Sequence, residues 1–568
     1  MPGLRRLLTP LPLLLAALCP PALSLRHGPA SIGADSGDTA PATGRRDGGC
    51  GRGKGPAASA QGERPGGSGL CLGGIAAGKV SAGDGGSLWG IPDRAPLTAV
   101  VGGGIGGSAA AYFLRQKFGR GVRLHVLEKA ALGGRLHTLD MEGAAFEAGG
   151  SVIHPLNLHM KHFVKELGLS SASPEVSPAG FYNGEEFVFE ESSWSFLNHP
   201  KLLWHYGLNP LRMSMWVEDI LDKFMRIYRY QMHDYAFSSN ERLLHALGGD
   251  DFLQLLNQTI DEAMQKAGFS QKFINQVVCS NHEVWLTAKE VKVNGFVGQA
   301  LSMAWIQSGL WSVKGGNKLV CSGLIYSSKA EVIPGTVVSI EPKTRASRGG
   351  DPVKLYEVTY NTSSGLTADT YDIVLIAAPL GRKLANITFR NFDPPIPEFP
   401  NPYQQIFTTL VHGRLNASFF GYHDPQAFNF RSIFTTDNPK LFINSLNIEP
   451  AVGDTSTGGK LPLNPDVWKV FSNEELSKEQ LNLLFSSYDS VKVKPWLAYP
   501  EYGAPERFPP LVLHEQLYYL NGLERAASAM EMSAIAARNA ALLAFHRWHG
   551  HGARLDQEDL HQKLKTEL

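Results

Sequence analysis

The chain has 568 residues, with 53 Lys+Arg and 53 Asp+Glu, so its formal net charge is zero. That balance argues against a nucleic-acid partner, which needs a basic stripe to lie on. The length exceeds one ordinary core and predicts two folded domains, and 43% hydrophobic residues suffice to build them.

At the N-terminus Arg5 and Arg6 precede a short apolar run, Leu7 to Leu18, and Ala22-Leu23-Ser24 offers small residues for cleavage. This predicts a secretory signal peptide over residues 1–24. A membrane anchor is disfavoured. The run is shorter than the roughly 20 residues a span requires, it contains Pro10 and Pro12, and no later segment is long and uncharged enough. Residues 25–95 are rich in Gly, Ala, Ser, Pro and Arg and read as a disordered leader, since they bury too little apolar surface to offset ordering. Four N-x-S/T sequons, at Asn257, Asn361, Asn386 and Asn416, fit a lumenal glycoprotein. Of the five cysteines, Cys19 leaves with the signal and Cys50 and Cys71 lie in the leader. Cys279 and Cys321 remain, which is no disulfide framework; Cys321 reads as a small buried hydrophobe. The terminal Lys565-Thr566-Glu567-Leu568 echoes a lumenal retrieval signal but carries Thr where Asp belongs; a solvated tail is the other reading.

Order begins at Leu97. Leu97 to Val101 reads as a buried parallel strand, Ala109 to Leu114 as a helix of small residues, and Val122 to Leu127 as a second strand. Residues 200–275 read helical. Val217, Ile220, Leu221, Phe224, Ile227 and Tyr228 share one face, which predicts core, with a substrate-cavity lining as the sharper alternative. Strands follow at Val337–Ile340, Leu355–Tyr360 and Ile373–Ile376. Residues 395–510 are mixed with Pro-rich breaks. The end returns to strand, Gly turn and an Ala-rich helix starting near Ala526.

The central motif places Gly102, Gly104 and Gly107 in G-x-G-x-x-G between strand and helix. The first glycine turns tightly, the second admits a pyrophosphate, the third lets helix and strand pack, and the phosphates meet the helix N-terminus. Glu128 closes the second strand, 21 residues after Gly107, where an acid can accept from a ribose hydroxyl. Leu132-Gly133-Gly134-Arg135 and Phe146-Glu147-Ala148-Gly149-Gly150 follow. They resemble the second and third fingerprints of the flavin amine oxidase superfamily, which implies FAD rather than a nicotinamide. Three more segments resemble that superfamily. Val313 to Leu319 looks like the segment returning to the flavin domain, with Val337 or Val338 on the adenine. Tyr371 to Pro379 looks like the cofactor-flanking strand and turn. Tyr518-Tyr519-Leu520-Asn521-Gly522 looks like the C-terminal flavin motif, with Glu524-Arg525 replacing part of its glycine pair.

Longer strings, Glu147 to Met160, Met215 to Asp219, Phe224 to Gln231 and Lys563 to Leu568, resemble the prenylcysteine oxidase (prenylcysteine lyase) family over roughly residues 97–568. The resemblance implies an α/β fold, with a Rossmann-type FAD-binding domain (96–155, 305–385 and 508–550) and a discontinuous α+β substrate domain (156–304 and 386–507). A C-terminal tail would follow at 551–568. It implies oxidation of farnesyl- or geranylgeranyl-cysteine by O2 to cysteine, a prenyl aldehyde and H2O2. It implies the lumen of the secretory pathway, with the lysosome as destination and secretion as the alternative. A lipid-like substrate adds lipid or lipoprotein surfaces to the expected partners; nothing in the sequence sets an oligomeric state. One stretch departs from the family: residues 279–294 read CSNHEVWLTAKEVKVN, where an Arg and a Tyr-Gly-Gln are expected.

FAD carries the difficult step, so the protein has to position the allylic carbon and keep the pocket dry. His154 is the candidate to assist water attack, with a structural histidine as the alternative; His159 and His162 read as helix residues. No H-x-x-H or C-x-x-C pattern suggests a metal. Two other readings stay open. One is a flavin amine oxidase, with Tyr518 and Tyr519 as aromatic cage. The other is a non-catalytic flavin- or lipid-binding glycoprotein, should residues 279–294 have lost the pocket.

Overall fold

The computed structural model describes residues 95–558, apart from 174–177, 193–194, 279–292, 299–308, 347–351, 400–401, 437, 439 and 454–465. Residues 1–94, where a signal peptide and a leader are expected, Cys279, most of the divergent stretch and Lys563 to Leu568 lie outside the described residues. All described residues belong to one compact unit that starts at Asp84.

The chain opens with β1 (Leu97–Val101), α1 (Ile105–Phe118), β2 (Arg123–Glu128), β3 (Thr138–Met141), β4 (Ala144–Glu147) and α2 (Leu158–Glu166). Strands β5 (Ala179–Tyr182) and β6 (Phe187–Glu190) precede a helical region with α3 (Asn209–Phe224) and α4 (Arg226–Met232). Then come α5 (Lys318–Ser328), β7 (Glu331–Pro334), β8 (Thr336–Arg345), β9 (Val353–Thr362), β10 (Gly365–Tyr371), β11 (Ile373–Ile376) and β12 (Thr388–Phe389). The last part holds β13 (Tyr403–Leu415), β14 (Ser432–Thr435), β15 (Ser445–Ile448), β16 (Asp466–Ser472), β17 (Phe485–Pro500), β18 (Val512–His514), β19 (Leu517–Tyr519) and α6 (Met530–Trp548).

Three sheets organise these elements. The first, in order β18-β19-β11-β1-β2-β7, is parallel except for its edge strand β18. Its central strands β1 and β11 are buried almost throughout, which is why they read as continuous apolar runs rather than alternating ones. Helix α1 packs against α5 and α6. Ala109, Ala110 and Ala111 of α1 and Ala534, Ala536, Ala537, Ala540, Ala541 and Ala544 of α6 are buried, and such small side chains let helix axes approach closely. The second sheet, β10-β9-β8-β12, is a short meander plus one parallel strand. The third has seven strands in order β17-β13-β16-β15-β14-β5-β6. Residues 395–510, which read as mixed with Pro-rich breaks, supply most of this sheet: the 13-residue β13 and 16-residue β17 pair there along most of their length.

The helical stripe divides. Val217 and Ile227 are buried in the core, while Ile220, Leu221, Phe224 and Tyr228 line a cavity. Ile220 and Leu221 are themselves buried while they line it, so one face serves both core and cavity. The helix also breaks at Met225, between α3 and α4.

Glu524-Arg525, which interrupts the expected glycine pair, is a structural lock. Glu524 accepts from Arg135 Nη2 at 2.5 Å and from the Tyr403 hydroxyl at 2.9 Å. Arg525 pairs with Glu506, and both side chains are buried. Removing one member of a buried ion pair leaves its partner desolvated and uncompensated, at a cost of about 3–5 kcal/mol. Arg525→Met is therefore expected to lower stability by that amount in denaturant melts, whereas Arg525→Met with Glu506→Leu recovers most of the loss.

Candidate active site

A cavity of about 1760 Å³ runs between the first and third sheets. That exceeds the few hundred to a thousand cubic ångströms of an ordinary small-molecule site. One end is the turn after β1. Gly102, at φ +104°, donates its N–H to Leu127 O at 2.8 Å. Gly107 has no room for a side chain, because a Cβ would lie 1.8 Å from Gly102 O. Gly104 is different. Its φ is −74°, and a Cβ there would meet nothing nearer than Gly133 O at 3.7 Å. The fold does not demand glycine at 104; what a side chain would fill is the space in front of α1. That helix begins at Ile105 with no side-chain cap, so its first N–H groups are available to an anion.

Gly102, Gly104, Glu128, Gly133, Gly134, Arg135, Gly150 and Val338 all line the cavity, and Gly107 lies beneath the turn. Glu128 has a second role: it accepts from Gly103 N at 2.5 Å and Ala130 N at 2.9 Å. At Gly103 a Cβ would lie 2.5 Å from Leu132 Cδ2, so a side chain there would push the leucine aside rather than the backbone. Gly104 and Gly133 bridge directly, which sets the Gly-Gly-Arg loop beside the phosphate turn. Gly133, at φ +120°, would bring a Cβ within 2.5 Å of Leu136 O. Val338 sits at a β-bulge: the β8–β9 register passes from Val337↔Tyr360 to Ser339↔Thr359. A bulged residue leaves the ladder, so its backbone is free for a ligand's adenine.

Gly522 does not line the cavity. A Cβ there would meet Asn240 Nδ2 at 2.8 Å and Pro509, so its place is structural. Asn521 and Ala527 to Ser533 form the wall instead. The Ala-rich helix starts at Met530 rather than Ala526, because Asn521–Arg525 form a separate 3-10 turn. Its first turn carries Glu531, a residue the sequence reading passed over. Glu531 is buried and accepts from His159 N at 2.7 Å, Met160 N at 3.0 Å and the Tyr228 hydroxyl at 2.7 Å. One carboxylate thus caps α2 and ties α6 to α4. Burial pushes its pKa up to about 7, against those three donors.

His154 lines the cavity, but its geometry gives the water-activating role no support. Nδ1 accepts from Leu156 N at 3.1 Å, so in the neutral ring Nε2 carries the proton and cannot take one. Its own N–H donates to Asn157 Oδ1 at 2.6 Å. His159 is buried, and desolvation pushes it down to about 3; its Nε2 pairs with Gln231 at 2.8 Å, a structural role. His162 pairs with the Tyr112 hydroxyl. Thr408 is held by the Trp496 indole, which donates at 2.9 Å, and itself donates to Ala148 O. Tyr518 and Tyr519 are buried in the first sheet and do not line the cavity, so they form no aromatic cage. Cys321 is fully buried, as expected, and burial pushes its thiol up to about 12. Among the described residues no cluster of His, Cys, Asp or Glu is arranged to hold a metal, and no helix is long and apolar enough to cross a membrane.

A glycine turn before an uncapped helix, an acid on the second strand, a Gly-Gly-Arg loop bridged to that turn and a bulged strand, all on one cavity, are the parts of a dinucleotide site, and the chain that carries them is an FAD-dependent oxidoreductase. The family model described as prenylcysteine lyase matches residues 189–557, and that of the NAD(P)-binding Rossmann-like domain matches residues 100–167. The chain is 56% identical to prenylcysteine oxidase 1 of Homo sapiens over 485 residues, covering 85% of this chain and 95% of that protein. It is 44% identical to human prenylcysteine oxidase 1-like, covering 83% and 94%. Among solved structures, a triple mutant of putrescine oxidase aligns with a TM-score of 0.52 at 14% identity, covering 79% of this chain and 98% of that one. A fatty acid isomerase from P. acnes gives 0.51 at 13%, covering 78% and 96%; at such identities the likeness speaks for the fold. The chain belongs to the prenylcysteine lyase family.

Gly104→Ala and Gly107→Ala separate cofactor contact from packing. Gly107→Ala is expected to cost about 3 kcal/mol or more by overpacking. Gly104→Ala keeps the apoprotein's stability within about 1 kcal/mol but weakens FAD binding at least about tenfold. Thermal melts of the apoprotein and titration with FAD check both.

Proposed function

We propose that the chain is an FAD-dependent thioether oxidase that cleaves prenylcysteine with O2, giving cysteine, a prenyl aldehyde and H2O2. The observation that carries this reading is one continuous cavity. It joins the dinucleotide cradle to an apolar wall of Ile220, Leu221, Phe224, Met225, Phe296 and Val297. An isoprenoid tail suits such a wall, since each buried methylene contributes roughly 0.8 kcal/mol. We assign residues 96–155, 305–385 and 508–550 to cofactor binding and 156–304 and 386–507 to the substrate.

When bound, FAD supplies the two-electron acceptor for the allylic C1–H and passes the electrons to O2. The chain does the rest by placement. Gly104 and the α1 N-terminus, brought forward by the turn at Gly102, would hold the diphosphate, Glu128 the ribose, and the Val338 backbone the adenine. The apolar wall aligns the tail and keeps bulk water from the reacting carbon. A C1 cation is shared between the allyl group and sulfur, so water adds without a strong base, and the hemithioacetal then collapses to aldehyde and thiol. This is consistent with a cavity in which the His154 Nδ1 lone pair is already engaged by the Leu156 N–H. On the reading as a non-catalytic glycoprotein, Val293 and Asn294, the end of the divergent stretch, are buried and hydrogen-bonded to the core.

The expected assay result is peroxide release on adding farnesylcysteine and none on benzylamine; the reverse pattern supports a flavin amine oxidase and overturns the proposal. We further propose a lumenal, lysosomal or secreted glycoprotein that meets lipid or lipoprotein surfaces. Asn257, Asn361 and Asn386 are exposed. Asn416 is half-buried, and its side chain donates to Leu483 O and caps a turn. Endoglycosidase treatment of secreted protein should therefore shift its mass through the first three sites, and an unshifted mass counts against lumenal residence.

A further inference from the structure

The cavity also carries charge that a hydrocarbon tail has no use for. Lys469 on β16 and Glu449, just after β15, are both buried and form an ion pair at 3.2 Å. Lys469 Nζ also donates to Ser151 Oγ at 3.2 Å, and Asn447 Nδ2 donates to Glu449 Oε2 at 3.3 Å. A second carboxylate stands beside them. Glu147, at the end of β4 and 3% exposed, accepts from Asn317 N through Oε1 at 2.6 Å. Its Oε2 has no hydrogen-bond partner among the described residues. Asn317 in turn donates to Gly150 O and Ser151 O, so Glu147, Ser151, Lys469 and Glu449 form one connected group. Glu147, Ser151, Lys469 and Glu449 all line the cavity.

The charge count gives this group its meaning. Two carboxylates surround one ammonium, and a buried carboxylate without its full set of donors is costly. Burial accordingly pushes Glu147 up to about 7, with the Asn317 N–H and then Lys469 opposing. A ligand ammonium at its unpartnered Oε2 favours the ionised form and so completes the set. A phosphate would be repelled, so the group does not serve the dinucleotide's diphosphate.

We propose that Glu449 and Glu147, flanking Lys469, form a receptor for the α-ammonium of an amino-acid head group, and so select S-substituted cysteines over uncharged thioethers. This rests on the reading of the chain as a prenylcysteine oxidase and adds to it the part of the site that reads the cysteine end. The tail is gripped by the apolar wall through buried area. The head is gripped by charge, and its amino group is the required feature.

The test uses ligands that bind but cannot react. S-dodecylcysteine lacks an allylic C1, and 3-(dodecylthio)propionate also lacks the amino group. Calorimetric titration into the FAD-loaded protein should show the amine-bearing ligand binding about thirtyfold more tightly, the scale of a charge-assisted hydrogen bond. In Glu449→Gln the ratio should fall below about fivefold with an unchanged flavin spectrum. Equal affinity of the two ligands for the wild type, or an undiminished ratio in Glu449→Gln, overturns the inference, as does failure of both ligands to bind. Selective binding together with absent turnover of farnesylcysteine would leave the head-group receptor standing and overturn only the assigned reaction. Should Glu449→Gln lose its flavin, Asn447→Ala, which removes a donor to the same carboxylate, is expected to change the ratio at least about threefold; no change counts against the subsite.

Discussion

Everything in the site depends on how closely α1 is brought to the end of β1. The carbonyl of Gly102 occupies the space where any side chain at 107 would be. Because that contact is made by backbone, the helix N-terminus is presented directly at the turn, and the turn carries Gly103 N to the Glu128 carboxylate. The Gly104–Gly133 bridge then fixes the next loop against the first. A cradle of backbone N–H groups is stiff and already oriented, which is what a diphosphate needs from a helix end.

The same economy appears at the other end of the molecule. Helix α6 returns some four hundred residues later in the chain to pack on α1, and its first turn uses Glu531 to cap α2 and hold Tyr228. Tyr228 belongs to the helices that form the apolar wall of the cavity. The glycine turns and that wall are therefore joined by packed elements rather than by loops.

How much of this was legible in the sequence follows from the kind of signal each element leaves. β1 and β11 were readable because buried parallel strands are apolar throughout, β2 because Leu124, Val126 and Leu127 are its buried positions, and α1 because it follows glycines set where side chains are impossible. The seven-stranded sheet was not. β17 is an edge strand carrying Lys492, Lys494 and Pro495 with few buried positions, and such edges are built to avoid a strong strand pattern. Gly522 was misplaced because a glycine after a strand signals close approach without saying to what; here it is to Asn240 and Pro509. Glu531, Glu449 and Lys469 left a faint trace, each a charge within a mostly buried segment. Only tertiary pairing shows what they face. His154 was found, but its tautomer depends on Leu156 N, which no sequence pattern reveals.

The most direct measurement is the absorption spectrum of the purified protein together with the nucleotide it releases on denaturation. The account predicts oxidised flavin bands and one FAD per chain, or their appearance on reconstitution of colourless protein with FAD. A folded chain that stays colourless with FAD, or that takes up NAD in its place, would contradict it.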